Sequence, residues 1–232
     1  IAQEILKSKQ VKDAMELLKE SDTRTVDPTN LTTEQLKELN IRMAQFIEDV
    51  RAKFGTFSPT MVRVSEESVN LSKLIGETYK NAIRKAKNTT SPTVWDAFEV
   101  GHLKSNETIG ANLAKAGYNT TAVPVRMETL AYSFETNMTT MGELKAEVYN
   151  SMIRWLYDDE LSDWGHALIQ SGLVWNYKKT ELQTFVVQDG SYVMIGADET
   201  SLKEQDSKLK TKEYDIPTTD YNAANARITT LE

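Results

Sequence analysis

The spacing of apolar residues changes once along this chain, and that change restricts what it can fold into. In three runs they recur at three and four positions: Leu36, Leu39, Met43, Phe46, Ile47, Val50 and Phe54; then Val69, Leu71, Leu74, Ile75, Tyr79 and Ile83; then Leu144, Val148, Met152, Trp155 and Leu156. That is the period of an amphipathic helix. After His166 the spacing shortens, and LVWNYK, LQTFVVQ and SYVMIG read as strands. Asp189-Gly190 joins the last two, a two-residue loop whose positive φ requirement marks a tight hairpin. Helical runs followed by a hairpin place the chain in the mixed α/β (α+β) class.

The helix ends are written into the sequence as well. Thr32 with Gln35, and Thr140 with Glu143, make capping boxes that satisfy the open N–H groups of a first turn. Ser65 opens the middle helix, with Glu66 and Glu67 at its positive end and Arg84, Lys85 and Lys87 at its negative end. The third helix is expected to run through Asp158. Between Val94 and Val125 the pattern is less regular, consistent with one or two short helices carrying His102 and Glu107. AVPVRMETLAYSFE is extended in part.

The two ends differ from the middle. Ile1, Ile5, Val11, Met15 and Leu18 form a narrow apolar seam among Lys and Glu, which suits a coiled-coil strand or a helix leaning on a partner. Residues 1–22 are therefore expected to be a helical stalk segment, able to self-associate. Residues 23–30, TRTVDPTN with Pro28, read as a linker, and 31–197 as the compact domain. Residues 198–232 read as a polar linker and the start of a C-terminal stalk helix. The chain opens at Ile1 without an initiator Met or a signal-peptide pattern, so a piece of a longer protein is expected.

Composition removes several functions. A net charge of −7 and no uninterrupted basic run argue against nucleic acid as a partner. No stretch is apolar for long enough to cross a bilayer. With no cysteine, thiol catalysis, Cys-ligated zinc and disulfides are out.

The only imidazoles are His102, in VGHL, and His166, in DWGH, and each follows a glycine. Glu135, Glu147, Asp158 and Asp159 lie between them. Histidine serves as ligand, base or proton carrier because it titrates near neutrality. Two readings of the pair stay open on spacing alone: rings lining one cleft, or hydrogen-bonded histidines in the core. No HExxH, G-x-S-x-G, P-loop or GxGxxG occurs. Neither Ser133 nor Ser162 is marked as a nucleophile, and Trp155, Tyr157 and Trp164 read as core.

The order of these segments resembles a known family. IEDVRAKFG followed by the Ser65 helix, VGHL, LAYSFETN and IRWLYDDELSDWGH are similar, in sequence order, to motifs of the CAP/SCP-like superfamily. TTMGELKAEVYNSMIRWLYDDELSDWGHALIQSGL resembles more closely the surface exclusion domain of the PgrA type, carried by cell-wall-anchored proteins of Gram-positive bacteria. The resemblance covers roughly residues 31–197. It implies a CAP-like α-β-α sandwich with a mostly antiparallel sheet, and a cleft of two histidines and two acids. His102 and His166 match the histidines, and Glu135 matches the acid of a Gly-Glu-Asn segment. Asp158 is the nearest match to the acid three positions after the helix Trp. The function implied is a non-catalytic surface module acting in surface exclusion during conjugative plasmid transfer, or in adhesion. Its partner would be a cell-surface protein or envelope component, and it would sit outside the cell. The alternative is a metal-dependent hydrolase, a peptidase, in which His102 and His166 hold a divalent ion, zinc first, with Glu135 as third ligand or general base.

Overall fold

A computed structural model of the chain describes residues 4–5, 7–54, 62–103, 128–132, 137–173, 181–188, 191–198 and 213–216. The first long element is α1 (Lys9–Ser21), capped by the Ser8 hydroxyl, which accepts from the Val11 N–H. Next comes α2 (Thr33–Phe54). Its capping box forms as expected: Gln35 N–H donates to Thr32 Oγ1 at 3.2 Å, and Thr32 N–H to Gln35 Oε1 at 2.9 Å. Strand β1 (Val62–Ser65) leads directly into α3 (Glu66–Lys87), with Ser65 as the cap. A short helix, α4 (Val94–Val100), follows, capped by Thr93 and Asp96.

After β2 (Glu128–Tyr132) comes α5 (Met141–Tyr157), opened by the expected pairing of Thr140 and Glu143. It stops one residue before Asp158, which forms its C-cap. A single 3-10 turn (Glu160–Ser162) and α6 (Gly165–Ser171) precede the strands β3 (Glu181–Gln188), β4 (Ser191–Asp198) and β5 (Glu213–Tyr214).

The sheet order is β2-β4-β3-β1-β5. β3 and β4 pair antiparallel from Glu181 opposite Asp198 to Gln188 opposite Ser191, the register of the expected hairpin. Asp189 and Gly190 lie outside the described residues, as do Val174 to Lys178 of the first expected strand. β2 with β4 and β5 with β1 are also antiparallel, whereas β1 and β3 run parallel. α2 and α3 both pack against β3.

The core gathers Leu36, Leu39, Met43 and Ile47 of α2 with Leu144, Val148, Met152 and Trp155 of α5, closed by Val64 and Val69. The periodic runs therefore predicted most of it, with two differences. Like Phe54 at the end of the α2 run, Leu74, expected on the buried face of α3, is exposed. Part of that face is instead serine: Ser68 and Ser72 are fully buried, and Asn40 of α2 reaches across to Ser72 Oγ at 3.4 Å and to its own helix at Leu36 O at 2.8 Å. Short hydroxyls bonded within their own helix let two helices meet without leaving a polar group unsatisfied.

The expected linker is not a free connection. Val26 and Leu31 are core residues, and Thr25 bridges to Thr140 in antiparallel fashion. Val26 N–H donates to Thr139 O, Met141 N–H to Arg24 O and Gly142 N–H to Asp22 O, all at 2.8–2.9 Å. α1 packs along α5, its last turn against the other's first. The reason is in the sequence at Gly142. A Cβ there would stand 2.5 Å from Lys19 O, 2.6 Å from Leu18 O and 2.7 Å from Asp22 O. Those carbonyls form the negative end of α1, and they abut the positive end of α5. An ion cluster closes the junction: Lys145 Nζ lies 2.7 Å from Asp22 and 2.8 Å from Glu38, and Arg24 also binds both acids. Residues 213–216 differ from expectation in the same way. They supply β5, and Tyr214 and Ile216 pack against the core, with Lys37 over the Tyr214 ring.

Two measurements follow from this packing. Helix propensity alone favours Gly142→Ala by about 1 kcal/mol, but backbone carbonyls cannot move aside. The expected result is a destabilisation of about 1–3 kcal/mol in urea or thermal unfolding. Half-burial of Glu48 on α2, with the Asp49 charge beside it, raises its carboxyl from 4.5 to about 7. Between those values the folded chain holds a proton that the unfolded chain has released, so stability falls as pH rises through that window. Glu48→Gln should flatten the fall.

Candidate functional site

The best-defined polar constellation among the described residues forms where α5 ends and α6 begins. Asp158 ends α5, its N–H bonded to Arg154 O at 2.8 Å, and its side chain is exposed. The next residue, Asp159, turns inward and is buried. Its main-chain carbonyl collects the N–H groups of Ser162 and Trp164 and the Ser162 hydroxyl, each at 3.1 Å. Its carboxylate accepts the Ala167 N–H at 3.0 Å and meets His166 Nδ1 at 2.7 Å. Asp159 thus caps α6 from outside the helix, placing negative charge at its positive end.

Burial acts to raise the Asp159 carboxyl. The bonds from His166, Ser162 and Ala167 and the His166 charge outweigh it and hold the group below the usual carboxylate range. An ionised carboxylate only accepts, so the proton of this bond sits on Nδ1 of His166. A carboxylate behind an imidazole in this way fixes the orientation of the ring. The Trp155 ring lies 6.1 Å from the His166 ring, tilted by 45°, and its indole N–H donates to Leu130 O of β2 at 3.3 Å.

Backbone strain gathers in the same loop. Asp163 and Trp164 both have positive φ, 54° and 61°. Asp tolerates the left-handed region, but a bulky residue there costs roughly 1–2 kcal/mol. Gly165, the glycine before His166, begins α6. The Trp164 ring is exposed, against the expectation of a core residue.

His102 follows α4 rather than riding on it. Gly101 caps that helix at φ 62°, and His102 is exposed beyond it. The buried Tyr79 hydroxyl accepts the Leu103 N–H at 3.4 Å, tying this segment to α3. On α4, Trp95 and Phe98 are exposed and meet edge to face at 5.8 Å, and Phe98 in turn meets Tyr132 of β2 at 5.3 Å. Both histidine-bearing segments thus lean on one strand, through the contact of Phe98 with Tyr132 and the bond of Trp155 to Leu130.

Of the four residues named from sequence, His166 sits in a built polar site, His102 and Asp158 are exposed, and Glu135 lies outside the described residues. The acid that holds His166 is Asp159. It was visible as the second of two adjacent acids after Trp155, but the one-residue choice depends on where α5 stops. Among the described residues no three His, Asp or Glu side chains converge as a metal-binding group. Arg51, in the Arg-containing turn that ends α2, is fully buried and donates Nε to Gln170 O at 3.2 Å, bracing α6 from behind.

Asp159→Asn should cost about 2 kcal/mol, the scale of a hydrogen bond to a charged group. Because the folded value is depressed, this stability is present above the ordinary carboxylate pKa and lost as pH falls through the lower folded value. Acid unfolding of the variant should therefore be shallower. Nitrogen NMR should find the Nδ1-protonated tautomer of His166 in the native protein and a mixture in the variant.

No protein-family model and no curated protein sequence matches the chain. Among solved structures it is similar to the CAP domain of enterococcal PrgA, at 14% sequence identity and a TM-score of 0.57, over 93% of this chain and 81% of that one. A likeness at that identity concerns the backbone alone, and it shows that this chain has the fold of a CAP domain.

Proposed function

We propose that this chain is a surface interaction module of a Gram-positive wall-anchored protein. It works outside the cell, in surface exclusion during conjugative plasmid transfer or in adhesion. The observation that carries this reading is the exposure of Trp95 and Phe98 on the short helix that ends beside His102. Large rings left in water on one face are the material of interfaces. The fold likeness to the PrgA CAP domain supports it, as does the resemblance of residues 139–173 to surface exclusion domains. In this reading the domain is an α-β-α sandwich, and the stalk meets it at α1, which is docked on α5. No helix among the described residues is long and apolar enough to cross a membrane.

The test displays the chain on recipient cells and counts plasmid transfer from donors. Trp95→Ala with Phe98→Ala should weaken exclusion tenfold or more at equal surface amount. Unchanged exclusion in that variant would remove the reading.

A second reading is favoured by the Asp159–His166 pair: a metal-dependent peptidase. His166 Nε2 and His102 would hold the ion, with Glu135 as third donor or base. Zinc would supply an activated water there. Elemental analysis of purified protein decides it: about one metal per chain, lost on His102→Ala/His166→Ala, is the expected result of this reading, and no metal in the native chain rejects it.

A further inference from the structure

The loop that holds His166 also presents an apolar face that the interaction reading does not use. Leu161, in the 3-10 turn, is completely exposed, and Trp164 and Leu168 are exposed as well. Trp164 stands just before α6, and the Leu168 N–H bonds to its carbonyl at 3.0 Å, so the two residues lie close together at the start of that helix. Leu161 precedes Trp164 by three residues, and between and beside them stand Asp158, Glu160 and Asp163, all exposed. The face is thus apolar at its centre and acidic at its border.

Trp164 makes the case for function rather than accident. Its backbone is held at φ 61°, where glycine would sit without strain. The hold comes from the buried Asp159 carbonyl, which takes the Trp164 N–H. Strain kept in place by buried hydrogen bonds, with the strained side chain turned to solvent, is the pattern of a recognition element.

The charges choose the occupant. An anionic surface, whether a lipid headgroup layer or a polyanionic polymer, would meet three carboxylates at the border and a chain of net charge −7. A second copy would bring the same acids against themselves. We infer that Leu161, Trp164 and Leu168 form a docking face for a protein partner that offers an apolar pocket bordered by lysine or arginine. This deepens the interaction-module reading by naming the partner's chemistry, and it rests on that reading only in taking the partner to be a protein.

The test titrates the purified chain with a synthetic amphipathic helix carrying leucines on one face and lysines along its margins. Its controls are the same peptide with glutamates for lysines, and vesicles of phosphatidylglycerol. The expected result is saturable binding of the lysine peptide alone, weakened tenfold or more by Trp164→Gly, by Leu161→Asp and by raised salt. Trp164→Gly should at the same time leave the melting temperature unchanged or higher, because it relieves the strained φ. A lowered melting temperature would mean that the ring serves packing, and the inference fails. It fails too if the variants bind the lysine peptide as the native chain does, or if the vesicles bind and the peptide does not. A dimer in solution that Leu161→Asp dissolves would name a second copy as occupant, and overturn it. Peptide binding lost in these variants while plasmid exclusion is untouched by Trp95→Ala/Phe98→Ala would uphold this face and reject only the assignment to exclusion.

Discussion

The close approach of α1 to α5 at Gly142 determines where the rest of the domain can lie. α5 is buried on two sides: Leu144, Val148, Met152 and Trp155 face the core, while Gly142 meets the last turn of α1. A helix gripped from both sides has little freedom to slide or roll, so its far end is fixed as firmly as its near end. That far end carries Trp155, and two turns of chain later Asp159 and His166. The contact is made of main-chain carbonyls against main-chain N–H groups, which only glycine allows. The ion cluster of Asp22, Arg24, Glu38 and Lys145 surrounds it.

From that anchor the polar site is assembled by one buried acid. Asp159 meets His166 through one oxygen and the start of α6 through the other, while its main chain folds the intervening loop onto itself. Arg51 supports α6 from the opposite side. The residue that orients the imidazole through its carboxylate also holds Trp164 through its main-chain carbonyl, so the ordered interior and the exposed ring both depend on Asp159. His102 lies on a separate segment, fastened by Tyr79 and by the edge-to-face contact of Phe98 with Tyr132.

Much of this could be read from residue order. Periodicity found α2, α3 and α5, capping boxes set their first turns, and the Asp-Gly pair marked the β3–β4 hairpin, because each of these signals is local. What escaped notice was set by tertiary partners. TRTVDPTN is polar in composition, yet its backbone satisfies α5 and its Val26 enters the core. EYDI looks like part of a charged tail, yet it pairs with β1. The face that α3 shares with α2 is partly hydroxyl, a pattern that hydrophobic spacing cannot register. At the site, the two histidines stood out by their rarity. Choosing between Asp158 and Asp159 required knowing the residue at which α5 ends, and helix ends are the least certain part of any pattern.

The parallel pairing of β1 with β3 brings residue 62 beside residue 181, and β5 near residue 213 completes the other side of β1. On a ribosome, β1 emerges long before either neighbour exists. The early helices can form at once, but the middle of the sheet must wait until residues near 181 and 213 have been made. Joining strands so distant in sequence closes a very large loop, the slow kind of step in folding. A nascent chain therefore keeps both edges of β1 unpaired until β3 and β5 have been made.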